Sequence, residues 1–322
     1  MSSGAPAHRK WQAHAPVRAP ERDRPSRWPT EPVALTREGL DVLVGILTRA
    51  ADQQTPPFER ARLLAVFSRH LDGDLVSDAA GPSSRRLVHE LLHVLCAERD
   101  RILHDDVLPA LAADGVVLLR WDEASRAERR QLRTLFHEVI YPLVTPLAVD
   151  ATRPFPYIPA RSLHVAALVR RCDTTQERFA CVRIPDQLFG LDPFSSGFVR
   201  LDAERLVSID VIVDALLDDL FPGVQVLERS TFRLVRAEAS RAGAGNAWSP
   251  LPRLEIADTT TAGLLDILRR DLAVADEAVY RMRPPLGLAE RIAAVRDDHR
   301  LAGPRLRGID GSGRTRSERG RS

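Results

Sequence analysis

Residues 141–158 read Y-P-L-V-T-P-L-A-V-D-A-T-R-P-F-P-Y-I, and the spacing of the apolar residues changes across this stretch. Its four prolines lack a backbone N–H group, and each restricts the residue before it to extended conformations. The stretch therefore predicts neither a long helix nor a central strand. Before this stretch the apolar residues recur at helical spacing. After it they first recur at every second position, as in a strand.

The segment 34–114 predicts a small helical domain, because its apolar residues recur at helical spacing in three stripes. Thr36 is expected to cap the first helix, and Pro57 to open the second. Asp114-Gly115 ends the pattern and predicts the domain boundary. The stripes are Leu40, Leu43, Val44 and Leu47; Leu64, Phe67 and Leu71; and Val88, Leu91, Leu95 and Ile102.

The segment 115–295 mixes both periods and predicts an α+β domain with a largely antiparallel sheet. A capping box formed by Ser125 and Glu128 is expected to open its first helix. Alternating apolar residues predict strands at 163–169, 180–184, 232–235 and 254–256. Helical spacing predicts helices at 209–220, behind Ser208, and at 264–272.

The charge balance excludes several classes of function. The 46 Lys+Arg and 44 Asp+Glu residues leave a net charge of +2, so bulk charge indicates binding neither to a specific nucleic acid nor to a membrane. Lys10 is the only lysine, which removes lysine-based mechanisms from the body of the chain. A bound phosphate would have to be held by arginines or by backbone N–H groups.

The chain ends and the cysteines suggest the compartment. We expect a disordered arm over residues 1–33 and a disordered basic tail over 296–322, because both are rich in polar, proline or arginine residues. The three cysteines are scattered, which favours a reducing compartment. With no apolar leader and no run of eighteen apolar residues, we expect a cytoplasmic protein without a membrane span.

One chemical motif stands out, His89-Glu90-Leu91-Leu92-His93. H-E-x-x-H on a helix places two imidazoles one turn apart, where they can share Zn²⁺ with Glu90 as the general base. The third ligand of such a site is missing, since Arg99 stands where the extended motif has His. A zinc-dependent hydrolase built on His89, Glu90 and His93 is therefore the alternative interpretation.

Two further groups of charged residues have the chemistry of ligand sites. Asp218-Asp219 lies near a predicted helix end, where solvated carboxylates are more common than metal ligands. Arg170 and Arg171 end the first clear strand and have the chemistry to hold a phosphate, but arginine is abundant throughout this chain.

The region 115–170 resembles the start of the head domain of the polyphosphate kinase family. The resemblance rests on L-L-R-W-D-E at 118–123, on P-L-V-T-P-L-A-V-D at 142–150 and on P-F-P-Y-I at 154–158. Less dense similarity extends over roughly residues 35–295, including P-F-E-R-A-R-L-L-A-V-F-S-R-H-L-D at 57–72, which resembles a helix of the family's N-terminal domain.

The resemblance implies transfer of the terminal phosphate of ATP to polyphosphate through a phosphohistidine, with Mg²⁺. It also implies a helical N-terminal domain, a head domain associated with dimer contacts and two C-terminal catalytic domains. An Asn of the N-terminal domain contacts the nucleotide in the family, and His70 occupies that position here. This substitution keeps hydrogen-bonding groups but loses the paired geometry of the amide.

Nothing after about Val295 resembles the family's catalytic domains, and none of the nine histidines lies in its catalytic motif. We therefore expect no catalytic residue in this chain and interpret it as a truncated family member that is inactive alone. An assembly or regulatory module is the expected role, with a homodimer or a full-length polyphosphate kinase as the partner. A remnant reading frame without a selected function is a third interpretation.

Overall fold

The computed structural model describes residues 37–72, 82–148, 155–185, 197–202, 204–236 and 253–298. The predicted arm, the predicted tail beyond Asp298, the cap at Thr36, residues 149–154 of the proline-rich stretch and residues 237–252 lie outside these ranges. The described residues all fall within one compact unit, and the domain boundary at Asp114-Gly115 stays a prediction. No helix among them is long and apolar enough to cross a membrane.

The first part of the chain is helical, as its three apolar stripes predict. The helices are α1 (Arg37–Ala51), α2 (Pro57–Asp72), α3 (Pro82–Arg101) and α4 (Leu108–Ala113), with a π-helical segment at Ile102–Val107 between the last two. Pro57 is the first residue of α2, where its missing N–H group costs nothing. The first stripe needs one correction, because Val44 is 46% exposed and Ile46 is fully buried in its place.

Four more α-helices lie in the remainder of the described chain, among its strands. They are α5 (Arg126–Leu135), α6 (Ile209–Ala215), α7 (Ala262–Leu272) and α8 (Leu288–Asp298). The predicted capping box is confirmed, since the backbone N–H of Glu128 donates to Ser125 Oγ at 3.3 Å and Ser125 N–H to Glu128 Oε2 at 2.8 Å. α6 is shorter than predicted, because residues Leu217–Leu220 form a separate 3-10 turn.

Two sheets form the strand-rich part and confirm the α+β prediction. The strands are β1 (Val117–Leu119), β2 (Pro146–Ala148), β3 (Leu163–Arg171), β4 (Glu177–Arg183), β5 (Phe198–Arg200), β6 (Arg205–Ser208), β7 (Val224–Val235), β8 (Arg253–Ala257) and β9 (Val279–Met282). Six of them form a sheet in the order β2-β4-β3-β7-β8-β9, in which only the β8–β9 pair is parallel. The other three form a sheet in the order β1-β6-β5.

The central strand β7 is three times as long as the four residues that its apolar pattern predicts. Its first half carries Gln225, Glu228 and Arg229, so it lacks a simple apolar alternation. Pairing with β3 holds this half in the sheet, across a register shift between Leu168 and Val169. Backbone pairing with a distant strand, and not the local apolar pattern, therefore determines the length of β7.

The six-stranded sheet buries apolar side chains on both faces. One face packs Val165, Val169 and Val182 against the helices around α5 and α6, and the other packs Phe232 and Leu254 against α7. Successive strand residues point to opposite faces, which allows one strand to serve both cores. The last helix, α8, returns to pack along α2, and α3 contacts β9. Asp72, the last residue of α2, contacts Arg233 of β7 and Arg253 of β8.

Candidate functional site

The site begins at the C-terminal end of α2, which carries His70 and finishes at Asp72. The last carbonyls of a helix lack partners within the helix and lie at the negative end of its dipole. Arginines from other segments satisfy two of them. Arg253 donates to Leu71 O at 2.9 Å and Arg161 to Asp72 O at 2.5 Å. The helix end is thereby fastened to the sheet by guanidinium groups.

The carboxylate of Asp72 binds two more guanidinium groups. It pairs with Arg253 Nη2 and, at 3.1 Å, with Arg233 Nη1. All three side chains are almost completely removed from solvent. A buried charge is tolerated only when it is paired and hydrogen-bonded, and this geometry meets both conditions.

Glu255 of β8, the strand next to β7, is the fourth charged residue of this group. Its two carboxylate oxygens accept hydrogen bonds from Arg233 Nε at 2.8 Å and from Arg253 Nε at 2.9 Å. Arg233 and Glu255 are direct cross-strand neighbours of β7 and β8, and Arg253 lies two residues from Glu255 on the same face of β8. Asp72, Arg233, Arg253 and Glu255 together are called the Asp72 cluster.

Electrostatics within the Asp72 cluster favour the ionised forms. Burial alone would raise the pKa of Glu255, but the guanidinium groups of Arg233 and Arg253 outweigh it and hold that pKa well below its usual range. Burial likewise acts to lower the pKa of Arg233, and Asp72 and Glu255 reverse the effect and raise it. The cluster thus consists of two guanidinium groups and two carboxylates, within which Glu255 and Arg233 are held in their charged forms.

His70 precedes Asp72 by two residues on α2, and it is only 2% exposed. Ser68, two residues earlier on α2, accepts a hydrogen bond at 3.0 Å from Arg99 of α3. A second nitrogen of Arg99 contacts the sulfur of Met282 in β9 at 3.2 Å. The last turns of α2, on which His70 lies, are therefore contacted by guanidinium groups that already have partners within the fold.

The H-E-x-x-H residues join α3 to the strand β9. His89 Nδ1 lies 2.9 Å from Tyr280 Oη, and the His93 ring stacks on Tyr280 with ring centroids 4.2 Å apart. His93 Nε2 also donates to the carbonyl oxygen of Glu277 at 2.8 Å. His89 is buried, and this burial lowers its pKa. Glu90 is exposed and pairs with Arg86.

On an amphipathic helix both imidazoles are expected to be partly exposed, and this holds for His93 but not for His89, which is in the core. Within the ranges that the structure describes, no group of three or more His, Cys, Asp or Glu residues is arranged to hold a metal ion. The zinc-hydrolase alternative gains no support from this geometry. The two imidazoles instead contribute hydrogen bonds and stacking between α3 and β9.

The other candidate residues do not converge on a common point. Asp218 lies 3.6 Å from Arg229, and Asp219 lies 3.2 Å from His137. Arg170 donates to Gln225 at 3.1 Å, and Arg171 pairs with Asp173 at 2.7 Å. Both arginines are thus engaged by neighbours on adjacent strands or turns, and the structure does not direct them at a shared phosphate position.

Sequence reasoning missed the Asp72 cluster. A signal was present in R-L-E-I at 253–256, where charged and apolar residues alternate within a predicted strand. Such alternation places opposite charges on one strand face, and a charged face covered by other elements requires partners. The partner Asp72 lies 181 residues away from Arg253, and no local pattern indicates that separation.

Comparisons with known proteins agree on one family. Residues 127–241 match the family model described as polyphosphate kinase middle domain. The polyphosphate kinase of Streptomyces coelicolor is 35% identical over 277 residues, which cover 76% of this chain and 36% of that protein. The polyphosphate kinase of Mycobacterium ulcerans is 32% identical over 276 residues, covering 73% of this chain and 37% of that protein.

A solved structure shares the fold. The crystal structure of polyphosphate kinase from Porphyromonas gingivalis superimposes with a TM-score of 0.62 at 20% sequence identity, covering 77% of this chain and 38% of that one. At this identity the likeness concerns the fold alone. The chain spans little more than a third of the length of the curated relatives that it matches.

Proposed function

The chain belongs to the polyphosphate kinase family, and from this premise we propose that it serves ATP–polyphosphate phosphotransfer as an assembly or regulatory module without catalysing the reaction itself. The observation that carries the proposal is the similarity to polyphosphate kinases over 76% of the chain, which corresponds to 36% of the relative's length. In the family the transferred phosphate passes through a phosphohistidine. None of the nine histidines of this chain lies in the family's motif for that residue.

The chain's own contribution in this proposal is to hold the end of α2 in a fixed position. The Asp72 cluster and Arg161 bind that end to the sheet through ion pairs and carbonyl hydrogen bonds. ATP and polyphosphate would be the substrates of the assembled enzyme and Mg²⁺ its metal cofactor, and we assign no step through Mg²⁺ to the described residues. The cytoplasm is the proposed compartment, since all three cysteines are free thiols.

The first test is a polyphosphate synthesis assay. The purified 322-residue chain, incubated with ATP, Mg²⁺ and a short polyphosphate primer, is expected to form no polyphosphate above a protein-free control. Covalent phosphotransfer requires an activated nucleophile facing a site that stabilises the charge of the transition state. ATP-dependent polyphosphate formation by this chain would contradict the proposal, and a full-length kinase of the family serves as the positive control.

The assembly role is tested with the same samples by size-exclusion chromatography. The chain mixed with a full-length polyphosphate kinase is expected to elute with it in one peak, ahead of either protein alone. The chain alone reports whether it forms a homodimer instead. Two unchanged peaks together with a monomeric chain would contradict the assembly role.

We also propose that His70 is the nucleotide-contacting position of this chain. Its placement two residues before the fastened end of α2 supports this role, although the buried side chain would have to turn outward to reach a base. In a calorimetric titration with ATP, His70→Ala is expected to weaken binding by about tenfold, the equivalent of one or two lost hydrogen bonds. The control is His164→Ala, which removes another buried histidine, and equal ATP affinity in all three proteins would refute the role.

A further inference from the structure

A cleft of about 970 Å³ opens where the two sheets meet, and the Asp72 cluster does not line it. Its walls come from the turn after β1, from α6, from the middle of β7 and from the segment after β8. The volume lies within the range of small-molecule sites. None of the residues discussed above as candidate nucleotide contacts lies in its wall.

The charge of this cleft favours a cationic ligand. Its wall carries the side chains of five carboxylate residues and three arginines, and the arginines are already paired. Arg283 lies 2.6 Å from Asp105, Arg120 lies 3.2 Å from Asp122, and Arg229 lies 3.6 Å from Asp214. Asp210 is paired as well, with Arg291 at 2.8 Å, but the wall still carries more carboxylates than guanidinium groups. An anion would have to break these pairs, whereas a cation enters a site with an excess of negative charge. The five carboxylates belong to Asp122, Glu123, Asp210, Asp214 and Asp258.

Two of these carboxylates are available to a ligand. Asp258 is exposed just after β8, and its carboxylate has no ion-pair or hydrogen-bond partner in the part of the chain that the structure describes. Asp214 shares Arg229 with Asp218. Burial raises the pKa of Asp214, and the neighbouring carboxylates of Asp210 and Asp218 add to the rise. A second cation beside Asp214 would offset both effects.

A hydroxyl group supplies independent evidence for a ligand. Thr231 lines the cleft and is only 7% exposed, yet its Oγ1 has no hydrogen-bond partner among the described residues. A buried hydroxyl without a partner costs free energy that a bound donor would recover. Trp121 also lines the cleft, and indole rings attract cations.

We propose that this cleft binds a linear aliphatic polyamine. Its ammonium groups pair with Asp214 and Asp258, one of them donates a hydrogen bond to Thr231 Oγ1, and its methylene chain lies along the apolar part of the wall beside Val211. Ammonium groups bring hydrogen-bond donors as well as charge, which matches a wall that contains both carboxylates and an unpartnered hydroxyl. This site is separate from the proposed phosphotransfer role, and its test uses neither nucleotide nor polyphosphate.

Calorimetric titration of the full chain with spermidine at low ionic strength tests the proposal. Saturable binding at one site is expected, and Asp258→Asn should weaken it about fivefold, the size of one solvent-exposed ion pair. The matched control is Asp266→Asn on α7, which removes the same charge from a side chain that is 73% exposed and outside the cleft. It should change the affinity less than twofold. Equal losses in both variants would mean diffuse charge attraction and overturn the proposal.

Thr231→Val separates a built site from a merely acidic surface. The substitution removes only a hydroxyl that has no partner in the described fold, so the protein should fold normally and retain its net charge. Spermidine affinity should fall about threefold through the lost hydrogen bond. Unchanged affinity in this variant, or equally tight binding of Mg²⁺ or of a lysine-rich peptide in place of spermidine, would overturn the assignment.

Discussion

Replacing Asp72 by Ala is expected to lower the free energy of unfolding by about 3–5 kcal/mol, the usual cost of removing one partner from a buried ion pair. The substitution leaves Arg233 and Arg253 buried with Glu255 as their remaining partner in the Asp72 cluster. It also removes the carboxylate that holds the end of α2 against β7 and β8. Urea denaturation followed by circular dichroism measures the change.

The control for this substitution is an Asp–Arg pair of similar geometry on the surface. Asp173 lies 2.7 Å from Arg171, with both side chains at least 60% exposed. Asp173→Ala is expected to leave the urea midpoint almost unchanged, because water already solvates both charges. Similar midpoint shifts for the two variants would contradict the inference that burial gives the Asp72 cluster its stabilising role.

Replacing Glu255 by Gln is expected to cost about 3 kcal/mol of unfolding free energy at neutral pH and progressively less in acid. Glu255 faces Arg233 and Arg253 with no exposed surface, and the amide offers them one acceptor oxygen and no charge. The loss comes from two guanidinium groups that remain buried with too little negative charge beside them.

The pH dependence follows from the depressed pKa of Glu255. Because the folded pKa lies below the unfolded value of about 4.3, the stabilisation is fully present above the unfolded value and is lost as the pH falls through it towards the folded pKa. The difference between wild type and Glu255→Gln should therefore be constant from pH 5 to 7, roughly, and shrink below about pH 4.

Urea titrations at several pH values measure this difference. The control is Glu98→Gln, which removes an exposed carboxylate 2.8 Å from Arg101. Its effect should be small at every pH, because solvent screens that pair. A Glu255→Gln effect that stayed the same below pH 4, or that grew there, would contradict the assigned direction of the pKa shift.

The H-E-x-x-H motif illustrates why short patterns need tertiary context. Helical spacing correctly places His89 and His93 on one side of α3, as the pattern requires. What that side of the helix contacts is decided elsewhere in the chain, by Tyr280 and Glu277. With those partners, the imidazoles are structural hydrogen-bonding and stacking groups between a helix and a strand.

Local sequence determined a large part of this fold. Apolar periodicity located α1, α2, α3 and α7 and the strands β3, β4 and β8, because each buries one side against a core. The capping box at Ser125 was equally predictable, since both of its hydrogen bonds lie within four residues. The proline-rich stretch carried the family resemblance, which the comparisons confirm.

Contacts between distant parts of the chain decided those features of the fold that no short stretch of sequence can indicate. The short strands β1, β2, β5 and β9 and the first half of β7 exist because neighbouring strands supply their hydrogen bonds, not because of their own apolar pattern. The Asp72 cluster depends on contacts between residues as far as 181 positions apart. Periodicity reports which side of an element is buried, but the charge partners of a buried side chain are set only when distant segments pack together.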